Sequence, residues 1–142
     1  LARAREQFAP LAAEKEIAFA VPVAPADVLL MADADRVHQA LGNLIGNALK
    51  FTPAAGRVTL AAHVDPTTPV VRLEVADTGP GIAPAYLPHV FDRFWQARET
   101  RRAGAGLGLA IVKGIAEAHG GDVTVTSTVG EGTTFCLELP RA

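Results

Sequence analysis

The stretch 33-DADRVHQALGNLIGNALKF-51 reads as a helix with two unlike faces. Val37, Leu41, Leu44, Ile45 and Ala48 recur at three- and four-residue spacings, the apolar stripe of an amphipathic helix. Asp33 or Asp35 is available as N-cap, and Thr52-Pro53 ends the helix because a residue before proline is driven out of the α region. At about 100° per residue, Asn43, Asn47 and Lys50 fall together on the side away from Leu41, Leu44 and Ala48. Two amides and an ammonium share one face.

On either side the period changes. Upstream, 17-IAFAVPV-23 reads as a strand and residues 28–31 as a second short one, while residues 1–13 (LARAREQFAPLAA) look like the end of a helix or linker. Downstream, Val58, Leu60, Ala62 and Val64 alternate, as do Val71, Leu73 and Val75, with 65-DPTTP-69 as the turn. The second of these strands runs into a glycine cluster, 77-DTGPGI-82, followed by a short segment near residues 84–88, the aromatic patch 91-FDRFW-95 and an arginine-bearing stretch to Ala103. A second cluster, 104-GAGLGL-109, opens the amphipathic helix 107-LGLAIVKGIAEAH-119, which Gly120-Gly121 ends. Two more strands, 122-DVTVTS-127 and 133-TTFCLEL-139, flank the turn 128-TVGEG-132. Strands outnumber helices, and the long helices fall between strand pairs. The expected fold class is therefore α+β, a sandwich of an antiparallel or mixed sheet with helices on one face.

Bulk properties exclude several classes. A chain of 142 residues fits one domain that buries roughly two thirds of its unfolded surface. With 49% apolar and 20% charged residues, neither disorder nor a fibrous repeat is expected. A net charge of −2 gives no electrostatic footprint for nucleic acid. The lone Cys136 excludes an internal disulfide. No apolar run reaches a membrane-spanning length and no signal-peptide layout opens the chain, so a cytoplasmic location is expected.

Three groups carry chemistry. An Asn oxygen can coordinate Mg²⁺, its NH₂ can donate to phosphate, and Lys50 offers a point charge for the same phosphates. Gly104, Gly106 and Gly108 lead into a helix N-terminus, where free N–H groups and the helix dipole favour an anion. Asp77 ends a buried strand, where an unpaired carboxylate is costly. An exocyclic amino group such as adenine N6 would supply its donor, with Gly79 and Gly81 leaving room for a flat ring. Taken singly, a solvated helix face explains the first as well, and ordinary helix packing the second.

Taken together they resemble the catalytic and ATP-binding domain of sensor histidine kinases, within the class shared by gyrase, Hsp90 and MutL. The segment 43-NLIGNALKFT-52 is similar to that family's asparagine box, 77-DTGPGI-82 to its first glycine box and 91-FDRF-94 to its phenylalanine box. Its second glycine box has a counterpart in 104-GAGLGLAIVK-113 and its last in 130-GEGTTF-135, in the family's order. The resemblance implies a two-layer α/β sandwich of the Bergerat type, with ATP and Mg²⁺ bound. Asn47 would be the metal ligand, and Asn43 and Lys50 phosphate contacts with catalytic roles. Phe51 would lie near the nucleotide, Asp77 would receive adenine N6 with Thr133 helping through a water, and Ile82 would line the base pocket beside Gly79 and Gly81. Gly104, Gly106, Leu107, Gly108 and Leu109 would present the phosphate cradle. Residues 96–103 would form a lid anchored by Phe94, with Arg93, Arg98, Arg101 or Arg102 reaching phosphate.

Hydrolysing members of the wider class place a Glu where this chain has Asn43, and an amide cannot act as a general base. The resemblance thus implies transfer of the γ-phosphoryl to a histidine on an upstream dimerisation domain, for relay to a response regulator in a homodimeric protein, with membrane anchoring left open. None of His38, His63, His89 or His119 precedes an acidic residue as the family's acceptor histidine does. Residues 1–13 would then be the tail of an upstream dimerisation helix or linker and 14–142 the catalytic domain. The chain departs from the family at 103-AGAG-106, where a threonine is often found, and in its short lid. An anti-sigma-factor-type serine kinase and a nucleotide-binding regulatory module without transfer are the alternatives.

Overall fold

The computed structural model describes residues 2–22, 33–64, 67–92 and 108–140. Helix α1 spans Ala2–Glu14, strand β1 Ala18–Ala20, helix α2 Ala34–Phe51, strand β2 Arg57–Val64 and strand β3 Val70–Asp77. A 3₁₀ turn at Leu87–His89 precedes helix α3, Gly108–Ala118, and strands β4, Asp122–Thr128, and β5, Gly132–Pro140. The sheet order is β1-β2-β3-β5-β4, with β1 parallel to β2 and every other pair antiparallel. The expected α+β sandwich with a mixed, mostly antiparallel sheet is what forms.

Strand alternation decides which face is covered. Val58 and Leu60, Val71, Leu73 and Val75, Val123, and Phe135, Leu137 and Leu139 are buried in one cluster with side chains of all three helices. From α2 come Val37, Leu41, Leu44, Ile45 and Leu49, and from α3 Val112, Ile115 and Ala116. Leu44 and Ile45 lose all exposure, and each burial of this kind contributes about 1.5–3 kcal/mol. The opposite sheet face is polar, with Arg72 paired to Glu138 at 3.3 Å and His63 to Glu74 at 3.2 Å.

Asp33 is the N-cap of α2, its carboxylate accepting the N–H groups of Asp35 at 2.9 Å and Arg36 at 3.3 Å. Thr52, extended ahead of Pro53, closes the other end. Helix α3 ends in a left-handed Gly120, and the Gly121 N–H returns to the Ala116 carbonyl at 2.9 Å.

One sequence expectation shifts. The strand read over residues 17–23 forms only at Ala18–Ala20. Helix α1 sends Ala4, Phe8 and Ala12 into the common core. The short strand expected at residues 28–31 lies outside the described residues. Among the described residues no helix is long and apolar enough to cross a membrane.

Candidate functional site

The register of the sheet sets up a row of side chains across all five strands on the helix-covered face. Phe19 of β1 pairs with Val58 of β2, Val58 with Asp77 of β3, Asp77 with Thr133 of β5, and Thr133 with Ser127 of β4. The row is apolar for two strands and polar for three. Asp77 therefore sits where the core ends, with Val58 fully buried beside it. Burial pushes its carboxyl above the ordinary carboxylate range, against the opposing pull of the Gly79 and Thr133 amides. The Gly79 N–H donates to Asp77 Oδ1 at 2.8 Å, curling the chain tightly after the strand.

That turn is fastened to the β4–β5 hairpin. Gly130 N–H donates to the Pro80 carbonyl at 2.8 Å, and Ile82 N–H to Ser127 Oγ at 2.7 Å. A Cβ on Gly81, whose φ is +78°, would lie 2.4 Å from the Thr128 carbonyl oxygen. One on Gly132, φ +142°, would lie 2.0 Å from the Asp77 carbonyl oxygen. The Cβ side of Gly81 is thus taken up by the hairpin. Gly79 is different: its Cβ would point at Asp77 Oδ1, 3.0 Å away, and the Phe51 carbonyl, 3.3 Å away. The end of α2 and the Asp77 turn are therefore neighbours. Asp77 also lines an open depression of about 300 Å³ with Ser127, Glu131, Gly132 and Thr133.

Helix α2 supplies the other side. Asn43 and Asn47 are half-buried, so their face is not simply solvated. Asn43 Nδ2 donates to the carbonyl of Gly108, the first residue of α3, at 3.2 Å. Among the described residues no hydrogen bond engages the Asn47 amide, whose oxygen is free to meet a hard cation. No group of three or more His, Cys, Asp or Glu converges among those residues, so a cation here would depend on amide, water and phosphate oxygens, a donor set that suits Mg²⁺. Lys50 Nζ lies 5.4 Å from the centroid of the half-buried Phe51 ring. Partial burial first, and the Lys15 charge second, lower the Lys50 pKa.

Of the other expected site residues, Thr133 is buried at 6% exposure, and Ile82 and Leu109 pack against the core from partly buried positions. Arg93, Phe94, Gly104, Gly106 and Leu107, and the lid arginines, lie outside the described residues. No sequence signal pointed to Ser127, and Gly132 and Lys113 were singled out only as members of the last and second glycine boxes. Lys113 Nζ contacts Asp122 Oδ1 at 3.1 Å and lies 5.6 Å from the centroid of Phe91, whose ring meets Phe135 edge-on at 6.0 Å.

The structure thus sets an amide-bearing helix beside a strand-end aspartate and its glycine turn within an α+β sandwich. The family model for histidine kinase-, DNA gyrase B- and HSP90-like ATPases matches residues 32–142, and the chain belongs to that family, with the ATP-binding catalytic domains of sensor histidine kinases. It is 38% identical over 130 residues to the sensor histidine kinase WalK of Bacillus subtilis (strain 168), covering 89% of this chain and 21% of WalK. Full-length ShkA in complex with AMPPNP superposes with a TM-score of 0.83 at 43% identity, over 99% of this chain and 29% of that one. The catalytic domain of ThkA, a histidine kinase also solved in complex with the response regulator protein TrrA, gives 0.85 at 27% identity, over 99% of this chain and 90% of the domain. The chain spans about a fifth of the length of the curated relatives it matches.

Proposed function

We propose that this domain binds Mg-ATP between α2 and the Asp77 turn and transfers the γ-phosphoryl group to a histidine on a dimerisation domain upstream in the same protein. The observation that carries the reading is Asp77: a partly buried carboxylate at a strand end, held by the Gly79 amide and adjoining the end of α2. A carboxylate so placed is best matched by the N–H donors of an adenine amino group, with Thr133 beside it. The Asn47 oxygen would hold Mg²⁺, which neutralises phosphate charge. Lys50 adds a cation, and the residues of the second glycine box offer backbone N–H groups.

In the transfer, the bond from the γ-phosphorus to the ADP oxygen breaks and one to an imidazole nitrogen forms. Protein groups contribute position and charge, the usual means of phosphoryl transfer. Asn43 cannot take a proton from water, so it does not favour hydrolysis over transfer. The phosphohistidine would pass its group to a response regulator, as part of a homodimeric protein with this domain in the cytoplasm.

The test is to mix the domain with labelled ATP and either a histidine-bearing dimerisation domain or a serine-bearing acceptor. Acid-labile, base-stable label on the first supports the reading. Label on the serine acceptor alone moves it to a serine kinase. Nucleotide binding with no transfer to either reduces it to a regulatory module.

A further inference from the structure

Ser127 is the hub of the polar end of the row. Its Oγ lies 2.7 Å from the Ile82 amide nitrogen, 2.9 Å from the Gly132 carbonyl oxygen and 2.9 Å from Thr133 Oγ1. A serine hydroxyl has one hydrogen and two lone pairs. The Ile82 amide can only donate and the Gly132 carbonyl can only accept. The Ser127 hydrogen is therefore committed to Gly132, and one lone pair to Ile82. The third contact, with Thr133, then uses the remaining lone pair, so the Thr133 hydroxyl must donate to Ser127. The reverse assignment would leave two oxygens, of Ser127 and Gly132, facing each other at 2.9 Å with no hydrogen between them.

The consequence falls on Thr133, which is directly opposite Asp77 in the sheet. With its one hydrogen held by Ser127, Thr133 Oγ1 has only lone pairs for anything that approaches. Asp77 and Thr133 thus present two acceptors and no hydroxyl donor. We infer that Ser127 is a positioning and specificity-determining residue: by fixing the Thr133 proton, it makes the base pocket favour a 6-amino purine, whose amino group has two hydrogens to give, over a 6-oxo purine. The second amino hydrogen reaches Thr133 directly or across one water. This inference rests on the proposed ATP-binding reading.

The experiment is calorimetric titration of the chain with ATP and with inosine triphosphate, in the wild type, Ser127→Ala, Ser127→Thr and Thr133→Val. Removing the Ser127 hydroxyl frees the Thr133 hydrogen to meet an oxo group, so the ATP-to-ITP affinity ratio in Ser127→Ala is expected to fall about tenfold, the scale of one reoriented hydrogen bond. Ser127→Thr keeps a hydroxyl and the ratio, and combining Ser127→Ala with Thr133→Val gives no further narrowing than Thr133→Val alone. A merely structural Ser127 would weaken both nucleotides equally. An unchanged ratio in Ser127→Ala overturns the inference while leaving ATP binding intact. Absence of ATP binding in the folded wild type overturns the underlying reading as well.

Discussion

The side-chain amide of Asn43 donates to the main-chain carbonyl of Gly108 at 3.2 Å, tying the middle of α2 to the first residue of α3. A residue proposed to meet phosphate thereby also holds the helix that begins at the second glycine cluster. Asn43→Asp keeps the size but sets a carboxylate oxygen against that carbonyl. Amides in the first turn of α3 should exchange with solvent several-fold faster, and phosphoryl transfer should drop by more than about tenfold. Unaltered exchange over residues 108–112 would show that the contact does not restrain α3.

Asp77 gives an opposition between stability and binding. Because burial raises its folded pKa above the ordinary 3.8, the folded state holds this proton more tightly than the unfolded state does. Its contribution to stability is therefore greatest at low pH and is lost as pH rises from about 3.8 through the raised folded value. Asp77→Asn, which keeps an oxygen for the Gly79 amide, should melt higher than the wild type at pH 7 without nucleotide. It should also lose the rise in Tm that ATP confers. Thermal melts across pH 4–8 with and without ATP check both, and a variant that melts lower yet still responds to ATP contradicts the assignment.

Two glycines should respond in opposite directions. At Gly132 a Cβ meets the Asp77 carbonyl oxygen at 2.0 Å on a backbone of φ +142°, so Gly132→Ala should cost about 2–4 kcal/mol. At Gly114, exposed within α3, a Cβ meets nothing within 4 Å, so Gly114→Ala should stabilise by about 0.5–1 kcal/mol. Urea unfolding of both variants measures the pair.

His119 staples the end of α3 to the start of α2. Its Nδ1 donates to the Ile115 carbonyl at 2.7 Å and its Nε2 accepts the Asp33 N–H at 3.1 Å, which fixes the neutral Nδ1-protonated tautomer. His119→Ala removes both bonds beside the α2 N-cap and should cost about 1–2 kcal/mol by the same unfolding assay. A value near zero would mean that water replaces the ring at no loss.

Helix α2, helix α3 and strands β2 to β5 were legible because each is at least seven residues long and carries apolar residues at a period of 3.6 or 2. Asn43, Asn47 and Lys50 were legible as a face for the same reason, and Asp77 as the last residue of an alternating strand. Helix α1 was read only as the end of a helix or linker, because Pro10 lies inside it and two of its three core residues are alanines. Strand β1 was read too long, over residues 17–23, because its three-residue extent is set by a non-local parallel pairing with β2 across α2 rather than by local pattern. Ser127 escaped notice because its role depends on a register that brings Ile82, 45 residues away, to its hydroxyl. Gly79 and Gly81 were read as leaving room for a ligand; Gly81, like Gly132, also stands where one backbone segment touches another, a contact no local pattern reveals.

Nucleotide binding between α2 and the Asp77 turn is tested by calorimetric titration of this chain with a non-hydrolysable ATP analogue, with and without Mg²⁺, beside Asn47→Ala and Asp77→Asn. Saturable one-site binding that Mg²⁺ strengthens is expected, with loss of the Mg²⁺ effect in Asn47→Ala and at least about tenfold weaker binding in Asp77→Asn. Binding that is equally tight in Asp77→Asn, or no binding by the folded wild type, would contradict it.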